Sequence, residues 1–243
     1  MSGVLVVGDV ITDIIVMPDG PMVRGSDRRA TIRSRPGGSG ANQAVWFGAL
    51  GAHVKFVSRV AAAELDSNAA YFRARKVEPV LIPDDTAPSG VLIAIVDADG
   101  ERSFLTDRGA NLNLCAEDLP LSLLDGIDLL MVSGYSFFTP GPRAAVMALL
   151  KAARDRGIAT AIDPASVGFL REVGAEAFLK WTAGTGTIFA NLDLLNAIQA
   201  LSQLSYGPIL SDVRAQAVGP PKRGCSLVER SRGRKGRNRP GRT

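Results

Sequence analysis

Short, uninterrupted apolar runs recur along the chain at residues 4–7, 128–133, 158–162 and 187–190. Runs this brief, without polar interruption, predict strands buried on both faces, as at the centre of a parallel sheet. Between the second and third runs lies a helical pattern. Thr139 takes the N-cap position, Pro140 opens the helix, Ala145, Val146, Leu149, Leu150 and Ala153 share one face, and Gly157 stops it. Strand, helix and strand in this order predict a right-handed crossover and an α/β fold.

Two stretches break that rhythm. Residues 13–35 hold Pro18, Gly20, Pro21 and Gly25 and then alternate from Ala30 to Ser34, while residues 91–105 read as two alternating strands around an Asp99-Gly100 turn. These predict antiparallel strands that project from the main sheet as a small β lid, over about 13–35 and 91–106. The expected organisation is one domain over 1–204 followed by a tail, 205–243.

Charge separates the two parts. Of the formal net charge of +4, the segment from Ser205 onward carries +8 and residues 1–204 carry −4. The last 22 residues hold nine Lys and Arg with few apolar side chains, so the tail is expected not to fold. Binding of nucleic acid or an anionic surface through it is the alternative reading, set below the unfolded one. At 46% hydrophobic and 21% charged residues, the rest has the material for a core.

No apolar run reaches membrane-spanning length, and the N-terminal one is broken by Gly8, Asp9 and Asp13 with no basic residue before it. Neither a membrane nor a signal peptide is expected, and the localisation read from this is cytoplasmic. Cys115 and Cys225 form no metal-ligand pattern or disulfide framework. The one histidine, His53, falls in a connection and is read as structural; it excludes a histidine-rich metal site. Trp46 and Phe47 are read as core.

The densest cluster of special residues is PGGSGANQA, residues 36–44, running into a helical segment that ends near Gly51. Glycines before a helix let backbone amides approach an oxygen-rich ligand, and Asn42 adds a donor and an acceptor. The cluster is neither a Gly-Lys-Ser/Thr phosphate loop nor a G-x-G-x-x-G fingerprint. Alone it fits a structural turn as well as a binding loop. Arg108 fits an anion-binding role or a surface ion pair equally, and Asp163, at the carboxyl end of a strand, fits a role near Mg²⁺ or phosphate or a helix cap with Pro164.

GDVITD, PGGSGANQA, PSGVLIAIVDADGER, RGAN, VSGY, AIDPAS and FANLD follow one another in this order. The series resembles the ribokinase-like sugar kinases, the PfkB family, over about residues 3–195. The resemblance implies a Rossmann-like three-layer α/β/α core with a β lid, and transfer of the γ-phosphoryl group of ATP to a sugar hydroxyl with Mg²⁺. It places Asp13 on substrate hydroxyls, Gly37, Gly38 and Asn42 on the sugar, and Asn191 near Mg²⁺ and the phosphates, while Arg108, as a candidate for the substrate, and Asp163, as a candidate for the phosphates, keep the alternatives given above. ATP and Mg²⁺ are the implied cofactors, a small-molecule sugar the partner, and a homodimer through the lid the implied assembly. A carboxylate accepts two vicinal hydroxyls at once, and glycine amides pack against a sugar ring unobstructed.

The sequence departs from the family in three places. Leu194 stands where the glutamate of Asn-x-x-Glu belongs, and an apolar side chain cannot hold the waters of Mg²⁺. Residues 58–66 replace a glycine- and aspartate-rich turn. The family's Gly-Ala-Gly-Asp motif, source of the catalytic base and the anion hole, does not occur, so no catalytic residue is assigned. Loss of a general base alone costs about 10²–10⁴ in rate. Family-like text ends near Asp193, which leads to the expectation of a truncated or frame-shifted relative that lacks the C-terminal part of the core. The alternative function is then a sugar-binding remnant without catalysis. Ile11 and Gly134 fall where some members carry polar side chains that read hydroxyls, so strict ribose specificity is not expected.

Overall fold

The computed structural model describes residues 3–191, 193, 194 and 198, together with the backbone of 214–217. In chain order the strands are β1 (Gly3–Val7), β2 (Ile11–Pro18), β3 (Ala30–Gly37), β4 (His53–Ala61), β5 (Val77–Asp84), β6 (Ser89–Val96), β7 (Arg102–Gly109), β8 (Leu129–Ser133), β9 (Ala159–Asp163), β10 (Thr187–Ala190) and β11 (Arg214–Ala217). The helices are α1 (Ser39–Ala49), α2 (Leu65–Arg73), α3 (Pro140–Asp155), α4 (Val167–Val173) and α5 (Ala175–Trp181). Seven strands form a parallel sheet in the order β11-β10-β9-β8-β1-β4-β5, and four form a second sheet, β3-β2-β6-β7.

β1 lies between β4 and β8 and is buried throughout. Leu5 and Val7 point into one layer, where α3 packs Val146, Leu149 and Leu150 against Leu130, Val132 and Ile162. Val4 and Val6 point into the other, with Ala41 and Ala44 of α1 and the Phe56–Phe72 ring pair at 4.9 Å. The continuous apolar runs of the sequence follow from this two-sided burial. The expected strands and α3 are present to within a residue or two.

The lid is present as well. β2 and β3 pair antiparallel, as do β6 and β7, while β2 and β6 run parallel and join the two hairpins. Residues 54–57, strand-like in the sequence, lie within β4, whereas α2 and β5 escaped the sequence reading for physical reasons. α2 buries only Ala69 and Phe72, too little for a clear period, and β5 carries Pro79 and Pro83, which a sheet edge tolerates.

Three expectations need correction. Trp46 is not core: its side chain is 70% exposed, because α1 turns its small residues, Ala41, Ala44 and Gly48, to the sheet. Only Phe47 packs partly against the core. His53 is the exposed first residue of β4 rather than part of a connection. Within the segment expected to be unfolded tail, Arg214–Ala217 pairs with β10 as a further parallel strand. The rest of that segment, Cys225 included, lies outside the described residues. Among the described residues no helix is long and apolar enough to cross a membrane.

Two substitutions separate these environments. Phe56→Ala is expected to cost about 3–5 kcal/mol, whereas Trp46→Ser should stay within about 0.5 kcal/mol. Urea unfolding followed by circular dichroism measures both.

Candidate functional site

In open parallel sheets the binding crevice forms at the carboxyl ends of the strands, where the strand order reverses. Here that point lies between β1 and β8, since β4 and β5 extend the sheet to one side of β1 and β8, β9 and β10 to the other. β1 ends at Gly8-Asp9-Val10, and the chain enters the lid at Ile11.

The first turn of α1 rests directly on that end. A Cβ on Gly8 would lie 2.8 Å from Gly40 Cα. Gly38 adopts φ +103°, which disfavours other residues, and a side chain there would overlap the Asp9 carbonyl. A Cβ on Gly37 would overlap the Asp13 carboxylate. Gly38 is thus required by close approach to backbone, whereas a side chain at Gly37 would displace the Asp13 carboxylate, and the turn brings Asp13 and the start of α1 to one cleft. The cleft measures about 400 Å³, and its lining includes Asp13, Gly38, Ser39, Asn42, Phe104 and Tyr135.

Asp13 stands on β2 opposite Arg35, whose Nε is 3.8 Å from Oδ2. Burial pushes its carboxyl above the ordinary carboxylate value, against the weaker pull of Arg35. Asn42 is exposed on the first turn of α1. Asp163 does not face open solvent as a free ligand: Oδ2 accepts Ser39 Oγ at 3.1 Å and Gln43 Nε2 at 2.9 Å, and Oδ1 accepts the Ala165 amide at 3.0 Å. It anchors the start of α1 to the end of β9 and, through Ala165, its own turn.

Arg108 forms neither a surface pair nor a free anion site. It is 7% exposed and grips Asp9 with two bonds, Nε to Oδ2 at 2.7 Å and Nη2 to Oδ1 at 2.8 Å. Its Nη1 donates to Thr139 Oγ1 at 3.2 Å, and Thr139, expected as a cap for α3, makes no side-chain cap bond. Asn191 also lies apart from the cleft lining. It is exposed, and its Oδ1 accepts the Leu194 amide at 2.9 Å. Leu194 itself is core.

Three residues of this region were not singled out from the sequence. Asp9 and Asn111 lie inside the quoted GDVITD and RGAN segments, and a charged residue directly after a buried strand was the available signal. Asn111 accepts the Val10 amide at 3.1 Å and donates to the carbonyls of Val10 and Arg108. Tyr135 follows β8 at the reversal point and walls the cleft; burial, then the charges of Asp9 and Asp163, push its phenol up. Gly134 has no room for a side chain, since a Cβ would meet the Asp163 carbonyl at 2.5 Å.

The sequence matches the profile of the pfkB family carbohydrate kinase over residues 1–199. The chain belongs to the PfkB family of carbohydrate kinases. Solved structures share the fold of this PfkB chain. Adenosine kinase from Sinorhizobium meliloti is 22% identical with a TM-score of 0.72, over 83% of this chain and 69% of its own. Fructokinase with bound ATP from Xylella fastidiosa is 19% identical with a TM-score of 0.69, over 88% and 70%. Ribokinase from Giardia lamblia is 20% identical with a TM-score of 0.68, and this chain spans 81% of itself but 60% of that enzyme. No curated protein matches.

Among the described residues no three His, Cys, Asp or Glu side chains come together, and the carboxylate oxygens of Asp163 and the Oδ1 of Asn191 accept protein donors. Asp13 is the carboxylate that lines the cleft. An ionised Asp13 accepts hydroxyls in charge-assisted bonds; a protonated one accepts more weakly and turns one oxygen into a donor. Affinity for any ligand that donates hydroxyls to Asp13 should therefore fall as pH is lowered through the raised Asp13 value. Folding responds in the opposite sense, since ionising the buried carboxyl costs stability as pH rises through the same value. Titration calorimetry across acid pH, with Asp13→Asn as the variant that loses both dependences, measures this.

Proposed function

We propose that this chain provides the acceptor site of a carbohydrate kinase and binds a sugar or sugar-like polyol between lid and core. The observation that carries this reading is the half-buried Asp13 carboxylate in the same cleft as Gly38, Ser39 and Asn42. A carboxylate beside a glycine turn suits vicinal hydroxyls and the face of a ring. Phosphorylation of the bound hydroxyl with ATP and Mg²⁺ is the family's reaction. The Gly-Ala-Gly-Asp segment that would supply its base does not occur in these 243 residues. Polyol binding without turnover is accordingly the activity assigned to this chain.

Separate calorimetric titrations with D-ribose, D-fructose and adenosine test the reading. At least one should bind, and Asp13→Asn should weaken it about ten- to hundredfold, the range for a lost charged hydrogen bond. Absence of binding by all three would overturn it. Phosphorylated product formed with ATP and Mg²⁺ would restore the full kinase reading.

A homodimer through the lid has its own support. On the outer face, register places Ile14 beside Ile93 and Ile93 beside Leu105, and Val16 between Ile32 and Ile95. Ile32 is 63% and Leu105 62% exposed. A contiguous apolar patch of this kind marks an interaction surface. Sedimentation velocity should find a dimer, and Ile32→Glu with Leu105→Glu should return it to monomer.

A further inference from the structure

The lid leaves the core twice, after Val10 into β2 and between Pro88 and Gly109 around β6 and β7. These exits are tied together at one point. Arg108, the penultimate residue of β7, holds Asp9 at the end of β1 through two bonds, while Asn111, just past β7, holds the next residue, Val10, through its amide and carbonyl. Asn111 Oδ1 also accepts Ser58 Oγ from β4 at 3.0 Å, and Gly109 has φ +50° against the Pro88 carbonyl. Arg108 further reaches Thr139 at the start of α3, and its guanidinium carbon lies 5.9 Å from the centre of the Tyr135 ring.

From this we propose that Asp9 and Arg108 are positioning residues: their buried, two-bond pair locks the root of the lid onto the core and so sets where Asp13 and Tyr135 stand in the polyol cleft. The inference rests on that cleft being the acceptor site. Asp13 is four residues beyond Asp9, on the strand that the pair orients, and the Tyr135 ring lies beside the guanidinium. Neither Asp9 nor Arg108 lines the cleft itself. Both oxygens of Asp9 and all three nitrogens of Arg108 are engaged within the protein. Three of the five N–H donors of Arg108 are committed to Asp9 and Thr139, and it acts through the geometry those bonds impose. A lysine cannot reproduce that geometry, because a single ammonium does not match a carboxylate edge with two parallel donors.

The test uses the full chain and the three probes above, with Arg108→Lys and the near-isosteric Asp9→Asn, so that the second variant decides if the first does not fold. Two readouts are taken. In hydrogen exchange without ligand, amides of β2, β3, β6 and β7 should exchange about tenfold faster or more in either variant, with β8 and β9 unchanged. In calorimetry, affinity for the bound probe should fall about tenfold or more. Free guanidinium at millimolar concentration, added to Arg108→Ala, should restore both readouts, which a general loss of packing would not allow. Unchanged lid exchange, equal acceleration in lid and core, or unchanged affinity overturns the proposal and leaves the polyol reading standing. If the wild-type chain binds none of the probes, the polyol reading falls first and the positioning role with it.

Discussion

The structure depends on how closely the end of β1 can be approached. Gly8 lies against Gly40, each without space for a side chain, so the first turn of α1 sits on the strand itself. Any larger residue would lift α1 away and carry Ser39 and Asn42 out of the cleft. Asp163 reinforces the arrangement from β9 by accepting Ser39 and Gln43. The sheet, the glycine turn and the helix therefore form one rigid wall. The lid is hung from the residue that follows.

The two faces of the lid answer to different requirements. Its inner face mixes Asp13 with Ile11, Leu92 and Phe104, a polar grip in apolar surroundings. That mixture explains the raised carboxyl of Asp13, because burial there disfavours the charge. Its outer face is apolar and largely uncovered. Behind the lid, Asp84 at the end of β5 accepts Asn113, Thr86 and the Ala87 amide, which holds its carboxyl well below the usual carboxylate range. The carboxylates of the molecule thus divide by their partners: Asp84 and Asp9 are spent on holding the chain, and Asp13 retains capacity toward the cleft.

The same accounting bears on the nucleotide side. Asp163, expected near phosphate from its place at a strand end, and Asn191, from the family resemblance, have oxygens that accept backbone and side-chain donors within the protein. Leu194 is packed in the core rather than turned toward a metal. A buried ion pair such as Asp9–Arg108 adds little net stability over an apolar replacement, while losing one partner strands a buried charge. Its presence is better accounted for by the geometry it imposes on the lid than by strength.

Continuous apolar runs made β1, β8, β9 and β10 legible, since a strand buried on both faces has no polar side to record. α3 was legible because a long helix on one side of a sheet must repeat its apolar face. The Asp99-Gly100 turn marked the lid hairpin, and the ordered glycine motifs marked the family. Local pattern carried no such information for α2 and β5, which bury too few side chains, or for Trp46, whose outward direction is set by the small residues that α1 needs against Gly8. The partner of Arg108 was likewise beyond reach. Asp9 and Arg108 are 99 residues apart, and sequence states that both are charged without stating that folding brings them into one buried pair. Composition and periodicity determined the layers and the motif positions; tertiary structure alone decided which charges face the cleft and which are consumed in holding it, because that depends on contacts between distant segments.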